Sequence, residues 1–571
     1  MNWYLLYPCI ILYLSILSNA SSIIQKVHTP IVKLQNGTIS GNHLPRFNQD
    51  VFLGIPFAEP PINELRFQPP QSYNTTWSGI KSFTEYGDAC YSATKSVSNA
   101  TQSEDCLTLN VVKPHGYYGE KLPVVIWIHG GSFDHLSSSY SLFNGSFIVQ
   151  QSEILRKPIL FVSFNYRLNG FGFLNSNEIV EKGWTNIGLR DQIKAVEWVH
   201  ENIESFGGDP NHLVLWGESA GGKSVGRLLN NNKYLGPYIK GGILESGANV
   251  FVNVQKGVTT SNQESFDNVV RYFNCESNYN NTDALSCLQK VDADDLRKAF
   301  NISNGIISRE FKFPSIDNDV VPDSGYNTVK AGNTTWNVPL LIGTNSDEGS
   351  YFTNVSIGSV QESKDYLRTL YPNLKSNSID KLIALYPNKP GTITPTDPNY
   401  AKGPIKYPDS IGDQYKTLTT LNSDVLYIAA TKITAQAYVN LNQPVYKYRF
   451  NIPNLETNGE DYYKGSTHGQ EVQYVFNNNE SLKKSNEVNN KVYGISDTLS
   501  KLWIFFINDL NPNPRSHSER RGFEVEVPEW PLYNDGEQQV VFDLKGFYVE
   551  RDIHRIEQFE FIESIIHELD G

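Results

Sequence analysis

One serine in the middle of the chain has the surroundings of an enzyme nucleophile. Ser219 lies in the segment Gly217–Gly221 (GESAG), directly after the apolar run Leu213–Trp216 and before Lys223–Leu229, a stretch that suits a helix. A strand, a tight turn and a helix in this order expose a serine hydroxyl above a sheet, and the flanking glycines remove the Cβ atoms that would block the turn. The pattern predicts a nucleophile that attacks carbonyl groups; a structural turn serine is the alternative.

A serine nucleophile needs a base, and His468 is the best candidate among the histidines that follow it. In a sheet enzyme of this kind the chain order is serine, acid, histidine. His468 lies in a tight loop of small residues, Gly465–Gly469, whereas His517 lies in a charged run and His554 and His567 belong to a polar terminal segment. The sequence therefore predicts His468 as the general base.

The acid that orients this imidazole is expected in a polar loop after the apolar run Pro339–Ile342. The loop carries Asp347 and Glu348, and side chains at the carboxyl end of such a strand are where α/β sheets place their sites. Local reasoning leaves both acids open, as well as an ordinary acidic turn.

A glycine-rich loop follows another apolar run. Val124–Ile128 leads into His129–Phe133, with glycine at 130 and 131. Backbone N–H groups of such a loop can hold the oxyanion of a tetrahedral intermediate, because glycine lets the backbone approach the substrate closely.

Apolar runs and helical stretches alternate along the chain. The strand candidates are Val124–Ile128, Ile159–Phe164, Leu213–Trp216, Gly242–Leu244, Pro339–Ile342 and Val445–Phe450. Between two of them, Ile187–Ile203 has an apolar face with helical spacing. The alternation predicts an α/β fold with a large, mostly parallel central sheet flanked by helices. Ile31–Ile39 and Val51–Ile55 predict a small antiparallel N-terminal sheet, and without repeats or long linkers residues 21–571 are expected to form one domain.

Charge and composition exclude several partners. The chain has 48 Lys and Arg against 61 Asp and Glu, a formal net charge of −13, and no basic run. It would repel a phosphate backbone, so nucleic acid is not an expected partner. No group of His, Cys, Asp and Glu has the spacing of metal ligands, and serine chemistry requires no cofactor. The expected ligand is a small carboxylic ester.

The N-terminus has the composition of a secretion signal. The apolar run Leu5–Leu17 is shorter than the about 20 residues that cross a bilayer, and small residues follow it up to Ala20. Residues 1–20 are therefore interpreted as a signal peptide, and the mature chain is expected to lack a stable membrane anchor and to be secreted or held in the lumen of secretory vesicles. Asn-X-Ser/Thr sequons agree with export: Asn36, Asn74, Asn99, Asn144, Asn280, Asn301, Asn333, Asn354 and Asn479.

Removal of the signal would leave four cysteines in an oxidising compartment. Four cysteines permit three pairings, and the short loops favour Cys90 with Cys106 and Cys275 with Cys287. The even count predicts two disulfides.

Taken together, the motifs make the sequence similar to the type-B carboxylesterase and cholinesterase family over nearly the whole mature chain. Besides GESAG, the matching segments are Phe52–Pro56, Ser103–Leu107, Asn165–Arg167, Asn186–Gln192, Phe206–Pro210 and Trp530–Tyr533. The resemblance implies the α/β-hydrolase fold and hydrolysis of carboxylic esters by a Ser-His-Glu triad. The Asn-rich character also resembles the amoebal esterases of this family, some of which pack as crystalline vesicle contents.

Residue by residue, the resemblance implies Glu348 as the acid and His468 as the base. It implies that the oxyanion donors are the backbone N–H groups of Gly131, Ser132 and Ala220. It also implies that the side chains of Glu218 and Ser246 are polar groups that support the triad. It also implies the two disulfides favoured by loop length. The structural ion pairs that it implies are Arg66 with Glu104 and Arg167 with Asp191.

Two features depart from the family pattern. Ser132 stands where most members have a third glycine, and we expect its side chain to crowd bulky acyl or phosphoryl groups. The loop between Cys90 and Cys106 lacks the Trp that holds a quaternary ammonium in cholinesterases. A choline ester hydrolase is thus a disfavoured alternative, and a storage or adhesion protein with little activity is another, because the fold also serves as a binding module.

Overall fold

The computed structural model describes residues 29–92, 100–231, 233–248, 250, 257–276, 283–301, 303, 305–307, 311–334, 338–386, 410–453, 462–482 and 489–569. The predicted signal peptide, residues 1–20, lies outside the described residues, as do the sequons at Asn99 and Asn280.

The strands of these ranges follow the predicted apolar runs and add others. They are β1 Ile31–Lys33, β2 Thr38–Ser40, β3 Asn42–Leu44, β4 Gln49–Pro56, β5 Ile80–Ser82, β6 Ala89–Cys90, β7 Gln102–Ser103, β8 Thr108–Pro114, β9 Leu122–Ile128, β10 Leu160–Phe164, β11 Gly208–Glu218, β12 Ile239–Glu245, β13 Leu340–Asn345, β14 Val445–Asn451, β15 Gln538–Asp543 and β16 Gly546–Arg551. Each of the six predicted apolar runs overlaps one of these strands in sequence.

The helices of the same ranges are α1 Ser146–Ile154, α2 Asn169–Phe173, α3 Asn177–Glu181, α4 Ile187–Asn202, α5 Ala220–Leu229, α6 Thr260–Tyr272, α7 Ala284–Leu288, α8 Ala293–Ala299, α9 Gly325–Lys330, α10 Val360–Leu370, α11 Ser376–Leu385, α12 Tyr415–Ser423, α13 Ala429–Asn440, α14 Val472–Val475, α15 Asn489–Asp509, α16 His517–Arg520, α17 Ile556–Ser564 and α18 Ile566–Leu569. A π-helical turn, Asp424–Ile428, joins α12 to α13. None of these helices is long and apolar enough to cross a bilayer.

The central sheet has eleven strands in the order β16-β15-β14-β13-β12-β11-β9-β10-β8-β4-β3. The strands from β10 to β15 pair in parallel, and antiparallel strands close both edges. Alternate residues of β9 enter two different apolar clusters: Val124, Ile126 and Ile128 pack with α4 and α5, whereas Val125 and Trp127 pack with α1 and α15. Because both faces are covered, the strands are apolar throughout. This arrangement confirms the predicted α/β-hydrolase fold.

The small N-terminal sheet consists of β1, β2 and β5, and it differs in detail from the expectation. β1 and β2 are antiparallel, but β5 joins β2 in parallel. The run Val51–Ile55 lies in β4, which pairs with β8 in the central sheet. Val51, Phe52 and Ile55 are all buried. Neighbouring side chains of a strand point to opposite faces of the sheet, and both faces of the central sheet are covered, so this sheet can bury all three.

Covalent and ionic links hold the loops around this sheet. The disulfides join Cys90 to Cys106 and Cys275 to Cys287. Two buried arginines make two-pronged contacts with carboxylates: Arg66 with Glu104 at 2.6 and 2.7 Å, and Arg167 with Asp191 at 2.8 and 2.6 Å. Such paired charges stabilise their segments without leaving a buried charge uncompensated.

Candidate active site

The turn between β11 and α5 holds Ser219 in a strained backbone conformation. Its φ is 56° and its ψ is −121°, a region that residues with a Cβ adopt only where the surroundings enforce it. Glycine is needed on both sides: a Cβ on Gly217 would lie 2.4 Å from the Gly221 carbonyl carbon, and one on Gly221 would lie 1.9 Å from the Ile128 oxygen. The local sequence therefore forms the tight turn that the GESAG pattern predicts.

The structure brings Ser219, His468 and Glu348 into one line of hydrogen bonds. His468 Nε2 is 2.8 Å from Ser219 Oγ, and His468 Nδ1 is 2.5 Å from Glu348 Oε2. These partners are 249 and 120 residues apart in the chain. With Nδ1 donating to the carboxylate, Nε2 is left to accept the serine proton, which is the arrangement that activates a hydroxyl for attack.

Glu348, and not its neighbour Asp347, faces the imidazole. Glu348 begins a short 3-10 turn after β13, and its second oxygen accepts hydrogen bonds from Ser246 Oγ at 2.5 Å and from the Asn345 N–H at 2.7 Å. Asp347 instead pairs with Lys416 Nζ at 2.9 Å. The two acids that local sequence left open thus have different partners.

The glycine-rich loop that follows β9 packs against Ser219. Gly131, Ser132 and Phe133 all have positive φ, at 97°, 57° and 59°. A Cβ on Gly130 would come within 3.1 Å of the Ser219 Cβ, so the loop runs directly against the nucleophile. Ala220, the first residue of α5, is buried beside it. Both segments whose N–H groups the sequence predicts as oxyanion donors therefore adjoin Ser219.

His129 anchors this loop as a neutral side chain. Its ring stacks on Tyr166 at a centroid distance of 4.5 Å, and its Nδ1–H donates to the Gly130 carbonyl oxygen at 2.9 Å. Burial lowers the pKa of His129 to about 4. The imidazole thus fixes the loop without adding a positive charge beside the oxyanion.

Two predicted supporting residues contact the triad. Glu218 Oε1 is 3.3 Å from His468 Nε2, and Ser246 Oγ bridges Glu348 and, at 3.1 Å, Glu471. Burial, together with the charge of Glu348, raises the pKa of Glu218. Its proximity to another carboxylate favours the protonated form of Glu218 at neutral pH.

Sequence reasoning missed three residues around His468. Glu471 is fully buried and accepts from Asn345 Nδ2 at 2.6 Å; its position three residues after the histidine is the signal that could have revealed it. Tyr427, on the π-helical turn, packs against the His468 ring at a centroid distance of 4.5 Å, with the ring planes inclined at 36°, and its hydroxyl is close enough to Ser219 to interact with it. Lys223 Nζ lies 5.0 Å from the centre of the Tyr427 ring. No sequence pattern marks Tyr427 or Lys223.

A polar cleft of about 400 Å³ opens beside the imidazole. Its walls include His468, Tyr140, Gln470, Gln473 and Glu480. A substrate group with hydrogen-bonding capacity would fit such walls better than an alkyl chain.

The site lies at the carboxyl ends of the parallel strands of the central sheet. The oxyanion loop, Ser219, Ser246 and Glu348 follow β9, β11, β12 and β13 in turn, and the His468 loop comes after β14. These strands are parallel neighbours, so residues far apart in sequence meet at their carboxyl ends.

The predicted glycosylation sites differ in their surroundings. Asn74, Asn333 and Asn354 are exposed. The side-chain amide of Asn36 donates to the carbonyl oxygens of Tyr73 and Thr75, and a glycan on that nitrogen would displace these contacts. The other described sequons, at Asn144, Asn301 and Asn479, are partly buried.

The chain is similar in sequence to lipases and esterases and in structure to a solved protein named EstA. The model of the carboxylesterase family matches residues 28–551. A lipase of Geotrichum candidum, Lipase 2, is 28% identical over 91% of this chain and 92% of its own. The para-nitrobenzyl esterase of Bacillus subtilis is 31% identical over 91% of this chain and 99% of its own. The crystal structure of Aspergillus niger EstA superimposes with a TM-score of 0.79 at 28% identity, covering 95% of this chain and 99% of that one.

Proposed function

Because the chain belongs to the carboxylesterase family and is a carboxylic ester hydrolase, we propose that it is a secreted serine esterase that works through an acyl-enzyme on Ser219. His468 is its general base and Glu348 its orienting acid. The observation that carries the proposal is the continuous line from Ser219 Oγ to His468 Nε2 and from His468 Nδ1 to Glu348 Oε2, at 2.8 and 2.5 Å.

Acylation begins when His468 Nε2 takes the proton of Ser219 as the oxygen attacks the ester carbonyl. The N–H groups of Gly131, Ser132 and Ala220 hold the oxyanion, and the imidazolium then gives its proton to the leaving alcohol. Water enters by the same route, with His468 again as base, and releases the acid. Glu348 stays ionised and stabilises the imidazolium.

Hydrolysis of a p-nitrophenyl butyrate solution by the purified protein tests this mechanism. We expect Ser219→Ala to abolish turnover and to abolish labelling by a fluorophosphonate probe. Ser82→Ala, which changes an exposed serine on β5, is the matched control and should keep both. A folded wild-type protein that neither turns over esters nor takes the probe would favour the storage or adhesion alternative and reject the proposal.

A series of esters tests the substrate range. The relatives include proteins named lipase and para-nitrobenzyl esterase, so p-nitrophenyl esters from acetate to palmitate, compared with butyrylthiocholine, cover the candidates. We expect slow or no thiocholine turnover, because the segment between Cys90 and Cys106 contains no Trp. Thiocholine turnover faster than that of every nitrophenyl ester would favour the cholinesterase alternative.

Secretion is supported by independent features. The disulfides suit an oxidising compartment, exposed sequons are present at Asn74, Asn333 and Asn354, and one relative is named a secreted lipase of Gibberella zeae. We expect the mature chain to begin near Ser21, as one domain to residue 571, and to lose mass on treatment with an N-glycosidase. N-terminal sequencing of protein from culture medium and from vesicles distinguishes the two destinations; an intact Met1 would contradict the proposal.

A further inference from the structure

Two imidazoles and one carboxylate converge at a place remote from Ser219. His43 on β3, Asp50 on β4 and His115 just after β8 each offer one ligand atom, and these atoms lie within 4.8 Å of one another. From this geometry we infer a binding site for a divalent transition metal, of which Zn²⁺ is the best fit. The inference is independent of the proposed esterase mechanism.

Strand pairing sets up the cluster. His43 is directly opposite Asp50 in the antiparallel β3–β4 pair, and the N–H of His115 donates to the Asn48 carbonyl oxygen at 3.0 Å. The three residues are separated by 7 and 65 positions in the chain, so no ligand spacing appears in the sequence. Pairing of β3, β4 and β8 brings their side chains together on one side of the sheet edge.

Two of the three ligand–ligand distances are close to those of a metal shell. His43 Nδ1 is 2.9 Å from Asp50 Oδ1, and His115 Nδ1 is 3.0 Å from Asp50 Oδ2. Tetrahedral Zn²⁺ with bonds of about 2.0–2.1 Å needs ligand atoms about 3.3 Å apart. Both pairs would open by a few tenths of an ångström. The ligand atoms of the three residues spread over as much as 4.8 Å, so the two rings, inclined at 67°, would have to turn their nitrogen atoms inward by more than an ångström.

Burial and access suit a bound ion. The Asp50 side chain is 4% exposed, which keeps its charge in a low-dielectric position, while the His43 and His115 side chains are 18% and 26% exposed. An ion could enter past the imidazoles, and water would complete its coordination on the solvent side. Imidazole nitrogen together with a carboxylate oxygen is a ligand set that Zn²⁺ and its neighbours prefer over Mg²⁺ or Ca²⁺.

The surrounding charges limit which ion would bind. Lys113 is the cross-strand neighbour of Asp50 in the β4–β8 pair, so an ammonium group lies beside the same carboxylate. A nearby ammonium disfavours weakly held hard cations, so strong nitrogen ligation is required. This again favours Zn²⁺ over Mg²⁺.

The location predicts a structural role. β8 runs antiparallel to β10, with Val112 beside Phe161, so His115 lies at the amino ends of the parallel strands, opposite the edge that holds Ser219. The ion would tie the edge strand β3 to β4 and β8. Zinc should therefore raise thermal stability and leave ester hydrolysis unchanged.

Zinc binding to the full-length protein, stripped with EDTA and dialysed, tests the inference. We expect calorimetry to detect one Zn²⁺ per chain in the micromolar range or tighter, Co²⁺ to give the visible absorption of a tetrahedral site, and Tm to rise with the logarithm of zinc concentration. Mg²⁺ should do none of these. His43→Gln and His115→Gln should each weaken zinc binding at least tenfold.

The matched control is His554→Gln, which removes an imidazole that lies 3.5 Å from a single carboxylate, Glu550. It should keep the wild-type zinc affinity within twofold. Equal zinc affinity in the wild type, His43→Gln and His115→Gln would overturn the inference, as would the absence of any bound ion at micromolar concentrations. If His43→Gln loses stability in EDTA, the more exposed His115→Gln and the cobalt spectrum of the wild type decide the question.

Discussion

Buried carboxylates occur in two regions of this molecule with opposite surroundings. The buried carboxylates Glu218, Glu348 and Glu471 lie around His468, and burial together with neighbouring carboxylates raises the pKa of Glu218 and of Glu471. Lys223 is a cation that acts on Glu218 and Glu348, and burial lowers its own pKa to about 8. In this region, acidic side chains lie next to other acidic side chains.

The C-terminal ion network, Lys447, Arg449, Glu550 and Asp552, lies on and beside β14 and β16. Arg449 donates two hydrogen bonds of 2.9 Å to the Glu550 carboxylate, and Lys447 Nζ is 3.1 Å from an Asp552 carboxylate oxygen. Burial alone would raise the pKa of both acids, but hydrogen bonds and cations outweigh it; the pKa of Glu550 falls to about 2 and that of Asp552 is also lowered. Here every acid has a cation.

The contrast separates carboxylates that hold the fold from those that serve the imidazole. Paired buried charges resist separation, because removing one partner leaves the other uncompensated. Burying acids around His468 without paired cations costs stability, and it raises the pKa of Glu218 and Glu471 to about 8, so that both are mostly protonated at neutral pH. Glu348 is then the carboxylate beside the imidazolium that would form as Ser219 attacks. An enzyme can retain such a cost where function requires it.

The largest expected effect is on catalysis. Glu348→Gln keeps the size of the acid but removes the charge that holds His468 Nδ1–H, and we expect kcat on p-nitrophenyl butyrate to fall about 10³-fold or more. Asp347→Asn, one position earlier, loses the Lys416 ion pair and should lower kcat by less than about tenfold. Equal losses of kcat in the two variants would contradict the division of roles.

The next effect is on stability, in the other region. Asp552 also accepts a hydrogen bond from the Tyr533 hydroxyl at 2.7 Å, so Asp552→Asn leaves the Lys447 ammonium buried without its partner. We expect the free energy of unfolding, from urea titration, to fall by about 3–5 kcal/mol, with kcat of the folded protein unchanged. Asp535→Asn, an exposed acid nearby, should change it by less than about 0.5 kcal/mol. Similar losses in both variants would refute the importance of the network.

A smaller catalytic effect is expected from a residue that the sequence did not mark. Tyr427→Phe retains the ring that packs against His468 and removes the hydroxyl that interacts with Ser219. We expect kcat to fall about tenfold with little change in KM, since one hydrogen bond to the nucleophile is worth about 1 kcal/mol. Tyr371→Phe is the matched control, because this buried hydroxyl has no hydrogen-bond partner in the described part of the chain. Unchanged kcat in Tyr427→Phe would remove Tyr427 from the site.

The contrast also shows how far sequence reasoning reaches. Short-range patterns located six strands of the central sheet, the turn at Ser219 and the glycine-rich loop, because each depends on neighbouring residues. The choice of Glu348 over Asp347 needed the resemblance to a family, since both acids follow the same strand and only the fold decides which one turns toward His468.

Contacts between distant segments were not predictable. Tyr427 reaches Ser219 from a π-helical turn, and His43 meets His115 through the pairing of β3, β4 and β8. β4 joins the central sheet because its side chains need cover on both faces, a requirement that a five-residue apolar run does not express. Such outcomes depend on the whole packing.

The two regions also differ in the sign of the pH dependence that they give to stability. The pKa of Glu471 is raised from 4.5 to about 8, so between these values the folded chain binds a proton that the unfolded chain has lost, and the free energy of unfolding falls as pH rises. Glu550, with its pKa lowered from 4.5 to about 2, contributes stability above pH 4.5 that is lost as pH falls toward 2.

Substitution of each acid by its amide should therefore act in a different pH window. We expect Glu471→Gln to flatten the decline in the free energy of unfolding between pH 5 and 8, by up to about 1.4 kcal/mol per pH unit. Glu550→Gln should flatten the loss between pH 4.5 and 2.5 and leave the alkaline side unaltered. Urea titrations across both windows measure the slopes. A wild-type slope between pH 5 and 8 in Glu471→Gln would mean that the acids around His468 are as well compensated as those around Arg449, and the contrast between the two regions would fail.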